Sequence, residues 1–303
     1  MKSPYLSGML SVCIPVFQVD VRPLVLALRK QAGALPVPVE IFCLDDASDP
    51  AFRAVNRELA GQSMLRYEEL PRNVGRARIR NRLAQQARFP FLLFLDSDAR
   101  LVRPDFLRQY VDRLPAGGVL CGGGVYQPRP PADPRRWLHW YYGSRMEQWP
   151  VARRAEQPYR GFKTFNFLAP RELLLRLPFH ESLEGYGHED TLWGLFLERE
   201  HIPVQHFDNP ACHAGLETAG VFLAKQRAAA KQLHALEKAY PGLPVRLLEA
   251  GRRLEQWKLK STVGSLLQAG MPLLERFLTS HRSPATLWAL NLYKLSCLLN
   301  EEG

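Results

Sequence analysis

Strand-like and helix-like segments alternate over the first hundred residues, and this alternation constrains the fold more than any other feature of the sequence. The predicted strands are residues 9–17, 39–46, 64–70 and 91–99. The predicted helices between them are residues 19–31, 50–60 and 75–87. Strands separated by helices usually pair in parallel, with the helices covering both faces of the sheet. The sequence therefore predicts an α/β fold with a mainly parallel sheet.

Polar residues follow several of these strands. Ligands of such sheets bind beyond the carboxyl ends of the strands. Pro15, the pair Asp45 and Asp46, and the pair Asp96 and Asp98 all lie there. Asp96 and Asp98 end a buried run, "FLLFL", where two carboxylates repel each other. Oxygen ligands suit Mg²⁺ or Mn²⁺, so the pair predicts a divalent cation site, the alternative being a strand-end turn with solvated acids.

Composition and charge exclude several classes of protein. The 303 residues carry a net charge of +10, but the basic residues form no dense run and accompany no nucleic-acid motif, so we expect no nucleic-acid binding. Five cysteines without a CxxC pair indicate reduced thiols in a cytoplasmic protein. The amino-terminal segment lacks a cleavage site, and no run is apolar enough to span a membrane, so we expect neither a signal peptide nor a spanning helix.

Two further motifs carry ionisable side chains. In "GYGHEDTLWG" (185–194), Glu189 and Asp190 begin a predicted helix beside Trp193. A carboxylate against aromatic surface can act as a general base, whereas the alternative is a helix start with solvated acids. In "HFDNPACH" (206–213), His213 is a candidate third metal ligand beside Asp98.

The chain changes character after the predicted sheet. Residues 114–136 are rich in glycine and proline, which predicts short strands joined by loops, and from about residue 218 the pattern is helical. We therefore predict a domain over 1–239, made of two parts (1–115 and 116–239), and a C-terminal helical region over 240–303. The helical region has two open interpretations. It is a helical cap or dimer surface, or a peripheral membrane face built from Trp257, Phe277 and Trp288 with Lys258, Lys260 and Arg282.

Five stretches of this sequence, in this order, resemble the signature stretches of the family 2 glycosyltransferases of the GT-A fold. They are "SVCIPVFQ", "LDDASDP", "NVGRARIRN", "FLFLDSDA" and "GYGHEDTLWG". The resemblance runs from about Ser11 to His213 and is of the bacterial type. Two positions depart from the family pattern: Ala47 stands where glycine is usual, and His188 stands where a small residue is common.

The resemblance implies roles for individual residues. The nucleotide-binding residues would be Pro15, Val16, Asp46, Asn73, Gly75, Arg80 and Asp96. Asp98 would bind the metal, with Asp96 touching the metal or the ribose. Asp190 would deprotonate the acceptor hydroxyl, which gives inversion, and Glu189 would orient hydroxyl groups. Pocket candidates for the sugar or acceptor are Tyr126, Trp149, Phe165, Asn166 and Tyr186.

The implied function is metal-dependent transfer, with Mg²⁺ or Mn²⁺, from a UDP-sugar or another nucleotide-diphosphate sugar to a sugar or lipid-linked acceptor. The expected setting is cell-envelope polysaccharide or glycoconjugate synthesis in the cytoplasm. Peripheral contact with the inner face of the membrane stays open. A nucleotidyltransferase or sugar-nucleotide hydrolase would need a glycine-rich basic loop after the first strand, and "PVFQVDVRP" has none. A non-catalytic sugar-nucleotide-binding protein would have lost the acids, but Asp98 and Asp190 are present. The oligomeric state stays open.

Overall fold

The structure, a computed structural model, describes residues 9–182 and 186–300 and divides the chain into two compact units. The first, here called the sheet unit, comprises the described residues of Met1–Tyr126, Glu147–Leu183 and Glu189–Gly215. The second, the helical unit, comprises those of Gln127–Met146, Glu184–His188 and Leu216–Gly303. The domain boundaries expected at residues 115 and 239 stay predictions. The expectation about a signal peptide concerns a segment whose first eight residues lie outside the described ones.

The strands all belong to the sheet unit. They are β1 (Leu10–Val16), β2 (Val39–Asp45), β3 (Leu65–Glu69), β4 (Phe91–Leu95), β5 (Ala99–Leu101), β6 (Val119–Cys121), β7 (Gly124–Val125), β8 (Asn166–Pro170), β9 (Val204–His206) and β10 (Ala211–His213). The central sheet has the order β3-β2-β1-β4-β8-β6-β9. The four strands β3, β2, β1 and β4 pair in parallel, as predicted, and β8 is antiparallel to both of its neighbours.

A second, three-stranded sheet has the order β5-β10-β7. In it β10 runs antiparallel to β5, which pairs His213 with Ala99, and parallel to β7. Because β5 begins directly after Asp98, this pairing carries His213 to the carboxyl end of β4. The short strands predicted in the glycine- and proline-rich segment are β6 and β7.

The helices, in chain order, are α1 (Arg22–Ala32), α2 (Pro50–Asn56), α3 (Arg76–Gln86), α4 (Phe106–Val111), α5 (Trp137–Tyr142), α6 (Val151–Glu156), α7 (Arg171–Arg176), α8 (Glu189–Arg199), α9 (Ala219–Ala239), α10 (Arg246–Gln256), α11 (Lys260–Ala269), α12 (Met271–Ser280) and α13 (Ala285–Leu299). Among the described residues, no helix is both long and apolar enough to cross a membrane.

Apolar layers cover both faces of the central sheet, because successive side chains of a strand point to opposite faces. Alternate residues of β1 pack on one side with α1, including Ile14 and Leu24. On the other side, Cys13 and Phe94 pack with residues of α3, α7 and α8. The predicted α/β architecture, with helices on both faces of a mainly parallel sheet, is therefore confirmed.

The helical unit is organised around α13. This helix contacts α9, α10, α11 and α12, and its residues Leu290 and Tyr293 are fully buried among them. Residues 263–278 belong to two helices, because α11 ends just before Gly270 and α12 begins just after it. The predicted helical character of the C-terminal region is confirmed.

Candidate functional site

The carboxyl ends of β1, β2 and β4 lie side by side in the sheet unit. Val16 pairs with Asp45, and Cys13 of β1 pairs with Phe94 of β4. Pro15 is partly buried at this edge. The Val16 side chain is fully buried in the core, and its carbonyl oxygen accepts a hydrogen bond of 2.8 Å from the backbone N–H of Asp46.

Asp46 binds the loop that begins α3. Its carboxylate accepts hydrogen bonds from the backbone N–H groups of Val74 (2.7 Å) and Gly75 (3.0 Å). The side-chain amide of Asn73 donates to the carbonyl oxygen of Asp46 at 3.2 Å. Burial raises the pKa of Asp46, and these two backbone donors oppose that effect. The predicted residues Asp46, Asn73 and Gly75 are thus brought together, with Gly75 at a φ of 86° that favours glycine.

Asp45, which was not assigned a role, forms the turn after β2. Its carboxylate accepts from the backbone N–H of Ser48 at 2.7 Å and from the hydroxyl of Tyr67 at 3.1 Å. Ala47, at the position where the family usually has glycine, adopts a φ of 59°. The turn therefore keeps the left-handed backbone that the family pattern requires, with Asp45 holding its ends.

Arg80 joins the acid after β4 to the acid that begins α8. Its side chain is only 2% exposed, and its Nη2 lies 2.7 Å from Asp96 Oδ1. Its Nη1 lies 3.7 Å from Glu189 Oε1, the same oxygen that Arg76 Nη1 approaches to 3.1 Å. Buried carboxylates need such partners. Asp96 and Glu189 are therefore linked through α3, by an arginine that is buried.

Asp98 meets His213, as the sequence predicted. His213 Nε2 lies 3.5 Å from Asp98 Oδ2. The imidazole is stacked between Tyr126 (centroids 5.3 Å apart) and Phe165 (5.4 Å), which fixes the direction of its ring. Burial raises the pKa of Asp98, and the nearby His213 opposes that effect. Two of the sequence-based pocket candidates, Tyr126 and Phe165, are thus the walls that hold this histidine.

Gly215 allows this close packing. A Cβ atom at residue 215 would lie 2.1 Å from Asp98 Oδ2, closer than any real contact. The backbone N–H of Ala214 donates to the carbonyl oxygen of Asp98 at 3.0 Å. The segment after β10 therefore passes directly over Asp98, and only glycine fits there.

Asp190 lies in the first turn of α8, where the helix dipole favours negative charge. Its Oδ2 is 2.6 Å from Lys163 Nζ, and its Oδ1 accepts from the backbone N–H of Thr191 at 2.8 Å. Gly185, the first glycine of the predicted turn before this helix, lies outside the described residues.

Asn166, another pocket candidate, is a structural residue instead. It is 2% exposed, and its side-chain oxygen accepts from the hydroxyl of Tyr110 at 2.7 Å. Its amide nitrogen donates to the carbonyl oxygens of Gly123 and Asn209, both at 2.9 Å. The side chain therefore ties loops together in the interior, and the expectation that it lines a substrate pocket is wrong.

Sequence reasoning missed three residues of the site: Arg76, Lys163 and Gly215. Gly215 carried a usable signal, since a glycine two residues after a candidate metal ligand indicates a close approach of the backbone. Lys163 is the one cation in the aromatic stretch "GFKTFNF", but the neighbouring sequence gives no indication that it contacts Asp190. Arg76 is one of four arginines between residues 76 and 82, and nothing in the local sequence distinguishes it from the others.

The residues fit a divalent metal held partly by its substrate. Across residues 9–182 and 186–300, no cluster of three or more His, Cys, Asp or Glu side chains has a metal-binding arrangement. Mg²⁺, however, is commonly bound by one or two carboxylates together with substrate phosphates. Asp98 and His213 supply one carboxylate and one imidazole beside each other, and Asp98 is partly buried.

Comparison with known proteins gives a family and a set of similar folds. The family model described as glycosyl transferase family 2 matches residues 11–182, more than half of the chain. A search of curated protein sequences gives no match. The mannosyltransferase PcManGT from Pyrobaculum calidifontis, solved with GDP-Man and Mn²⁺, is 17% identical, with 95% of this chain and 85% of that chain covered and a TM-score of 0.59. Glucosyl-3-phosphoglycerate synthase from Mycobacterium tuberculosis, solved with Mg²⁺ and UDP, is 18% identical, with 75% and 79% covered and a TM-score of 0.51.

Proposed function

This chain belongs to glycosyl transferase family 2, and from that premise we propose that it transfers a sugar from a UDP-sugar, or another nucleotide-diphosphate sugar, to an acceptor hydroxyl with inversion. The chain is a glycosyltransferase with the GT-A fold that its sequence predicted. The observation that carries the proposal is the placement of two acid pairs in one unit, Asp96 with Asp98 after β4 and Glu189 with Asp190 at the start of α8. Arg80 lies within ion-pair distance of a member of each pair.

Asp98 and His213 would hold the metal, with Asp96 beside them. Bound Mg²⁺ or Mn²⁺ would neutralise the charge that develops on the departing nucleoside diphosphate. The two similar structures were solved with Mn²⁺ and Mg²⁺, respectively, which is consistent with this assignment. Asp98 suits the role because burial penalises its negative charge, and a bound metal cation would relieve that penalty.

Asp190 would act as the general base. Its carboxylate takes the proton of the acceptor hydroxyl while the acceptor oxygen bonds to the anomeric carbon. The bond between that carbon and the diphosphate oxygen breaks at the same time, and its electron pair leaves with the nucleoside diphosphate. Attack from the side opposite the leaving group inverts the configuration. Glu189, held by Arg76 and Arg80, would accept hydrogen bonds from sugar hydroxyls and so orient them.

The nucleoside would lie along the ends of β1 and β2. Pro15 offers a partly buried apolar surface there, whereas Val16 would contribute through its backbone and the core packing that positions it. Asp46 would accept from the base or the ribose, and its own loop contacts with Asn73 and Gly75 fix its position. Arg80 would act on the nucleotide through Asp96, since its guanidinium is buried.

The setting is part of the proposal. The acceptor would be a sugar or a lipid-linked sugar, as in bacterial cell-envelope polysaccharide or glycoconjugate synthesis in the cytoplasm. UDP and GDP are both represented among the similar structures, so the base specificity needs a direct test.

The first test is calorimetric titration of the protein with UDP and with GDP, each with and without Mn²⁺. We expect metal-dependent binding of one nucleotide, and its loss in Asp98→Asn. Asp112→Asn, which removes an exposed carboxylate at the end of α4, is the matched control and should bind as the wild type does. Asp190→Asn should keep nucleotide binding and lose transfer. Normal metal-dependent binding by Asp98→Asn would refute the metal assignment, and full transfer by Asp190→Asn would refute the base.

A further inference from the structure

One side of α13 is exposed and apolar in its first half. Trp288 is 78% exposed, and Leu292, one turn later, is 43% exposed. Residues four apart lie on the same side of a helix. In contrast, Leu290 and Tyr293 on the opposite side are fully buried in the helical unit. The exposed pair therefore forms a stripe that the helical unit itself leaves uncovered.

Helix α11 covers the second half of the same side of α13. Leu299 follows Trp288 by about three turns and so points in nearly the same direction. A Cβ atom at Gly264 of α11 would lie 3.5 Å from Leu299 Cβ, and the side chain of Asn300 donates to the Gly264 carbonyl oxygen at 3.1 Å. The outer surface of α11 therefore faces the same way as the Trp288 stripe.

That outer surface of α11 carries one large exposed apolar side chain among smaller and polar ones. Leu266 lies about 200° around the helix from Gly264, hence away from α13, and it is 72% exposed. Leu259 lies about two turns before Leu266 on the same side, and Trp257 just ahead of it is 66% exposed. These side chains define what we call the α11/α13 face: Trp257, Leu259, Leu266, Trp288 and Leu292.

The C-terminal part of the chain carries a net positive charge. Residues 216–303 contain 12 lysines and arginines and seven acidic residues. Glu275 Oε1 is 2.7 Å from Arg227 Nη2, so its charge is already compensated. Lys258 and Lys260 alternate with Trp257 and Leu259 in the sequence "WKLK", and Lys260 Nζ lies 4.0 Å from Glu255 Oε1. The face thus combines exposed tryptophan and leucine with a part of the chain that has more positive than negative charge.

We propose that the α11/α13 face docks on the surface of an anionic lipid bilayer. Tryptophan is favoured at the boundary between lipid headgroups and acyl chains, and leucine gains by leaving water. Lysines beside such an apolar face are attracted to anionic headgroups. A second copy of this chain suits the face less well, because a two-fold contact would bring together two surfaces of the same positive sign. Since no described helix can span a bilayer, the contact is peripheral.

The proposal is independent of the glycosyl-transfer chemistry, so its test uses no substrate. Purified protein is floated with vesicles of phosphatidylcholine alone and with vesicles of equal parts phosphatidylcholine and phosphatidylglycerol. We expect binding to the anionic vesicles only. Lys258→Gln/Lys260→Gln should lower the affinity about 25-fold, roughly fivefold for each lysine lost. Trp257→Ser/Trp288→Ser should lower it by about tenfold or more.

Matched controls lie on α1 in the sheet unit. Arg29→Gln/Lys30→Gln removes the same charge, and Leu26→Ser removes an exposed leucine, so both should float as the wild type does. Thermal unfolding and UDP titration of every variant check that each fold is intact. The proposal is overturned if the wild type fails to float or floats equally with neutral vesicles. It is also overturned if the control substitutions lower vesicle binding as much as the substitutions in the α11/α13 face do. Sedimentation showing a dimer that Trp257→Ser/Trp288→Ser dissociates would also overturn it, in favour of a second copy.

Discussion

Gly215→Ala should disable the donor site while leaving the fold intact. The added Cβ atom would lie 2.1 Å from Asp98 Oδ2 and 2.8 Å from Asp98 Cβ and Cγ, whereas ordinary contact begins at 3.4 Å. The Asp98 carboxylate is on a side chain that is 29% exposed, so it can turn towards solvent, whereas Asp98 Cβ is fixed by the backbone, which must therefore also shift. Asp98 would then move away from His213, and the pair proposed to hold the metal would separate.

The magnitude follows from the size of that displacement. The Asp98 carboxylate must shift by more than ~1 Å, and misplacements of this size cost about a hundredfold in rate at a reacting centre. The cost to folding lies within the roughly 1–3 kcal/mol that overpacking causes, because the backbone must give way at Asp98 Cβ. Transfer should therefore slow about a hundredfold and metal-dependent donor binding should weaken, while the protein still folds.

Calorimetric titration with the preferred nucleotide and Mn²⁺, together with thermal unfolding, separates the two effects. The control is Gly220→Ala in α9, where a Cβ atom would meet nothing within 4 Å. Alanine in a helix should stabilise the control by about 0.5–1 kcal/mol and leave binding unchanged. The reasoning would be refuted if Gly215→Ala bound the nucleotide with wild-type affinity. It would also be refuted if the loss of binding were fully explained by unfolding of the variant.

Three further substitutions test other contacts of the site and of the sheet unit. Arg80→Met should lower the free energy of unfolding by about 1–3 kcal/mol, measured in denaturant, because Asp96 loses its partner while staying open to water and Glu189 keeps Arg76. Arg80→Lys should lose less, and equal losses would contradict the role of the guanidinium. Lys163→Met should lower kcat for transfer with little change in nucleotide Kd, since Asp190 loses the ammonium that holds its Oδ2; an unchanged kcat would contradict this. Burial lowers the pKa of His206 below its ordinary 6.5, so the unfolded chain takes up the proton first as the pH falls. The free energy of unfolding should therefore decrease on acidification below pH 6.5, and His206→Gln should lose this part of the pH dependence.

Much of the fold was readable from local patterns. The runs that became β1, β2 and β4 are almost continuously apolar because both faces of these strands are buried, and the helices between them carry one apolar side. The antiparallel strand β8 was not predicted. Its residues, 166–170, pair with residues 91–95, which are far away in the sequence, and nothing in either segment indicates the direction of pairing.

The acids of the site were also readable, but their partners were not. Asp98 and Asp190 stand out because carboxylates follow a buried strand or open a helix. The partner of Asp190, Lys163, comes from a distant segment, and alternation along "RARIR" could not say that Arg80 is the buried one. Only the fold, which places α3 between the end of β4 and the start of α8, decides which arginine is turned inward.

The two acids after β4 lie next to different basic side chains, and this difference supports different roles for them. Asp96 is bound at 2.7 Å by a buried guanidinium, which is positively charged at every accessible pH, so its charge is balanced by the fold alone. Asp98 faces an imidazole at 3.5 Å, and burial raises its pKa. Of the pair, therefore, Asp98 is the acid that gains most from an added cation, whereas removing Asp96 would chiefly release Arg80 and, through it, Glu189.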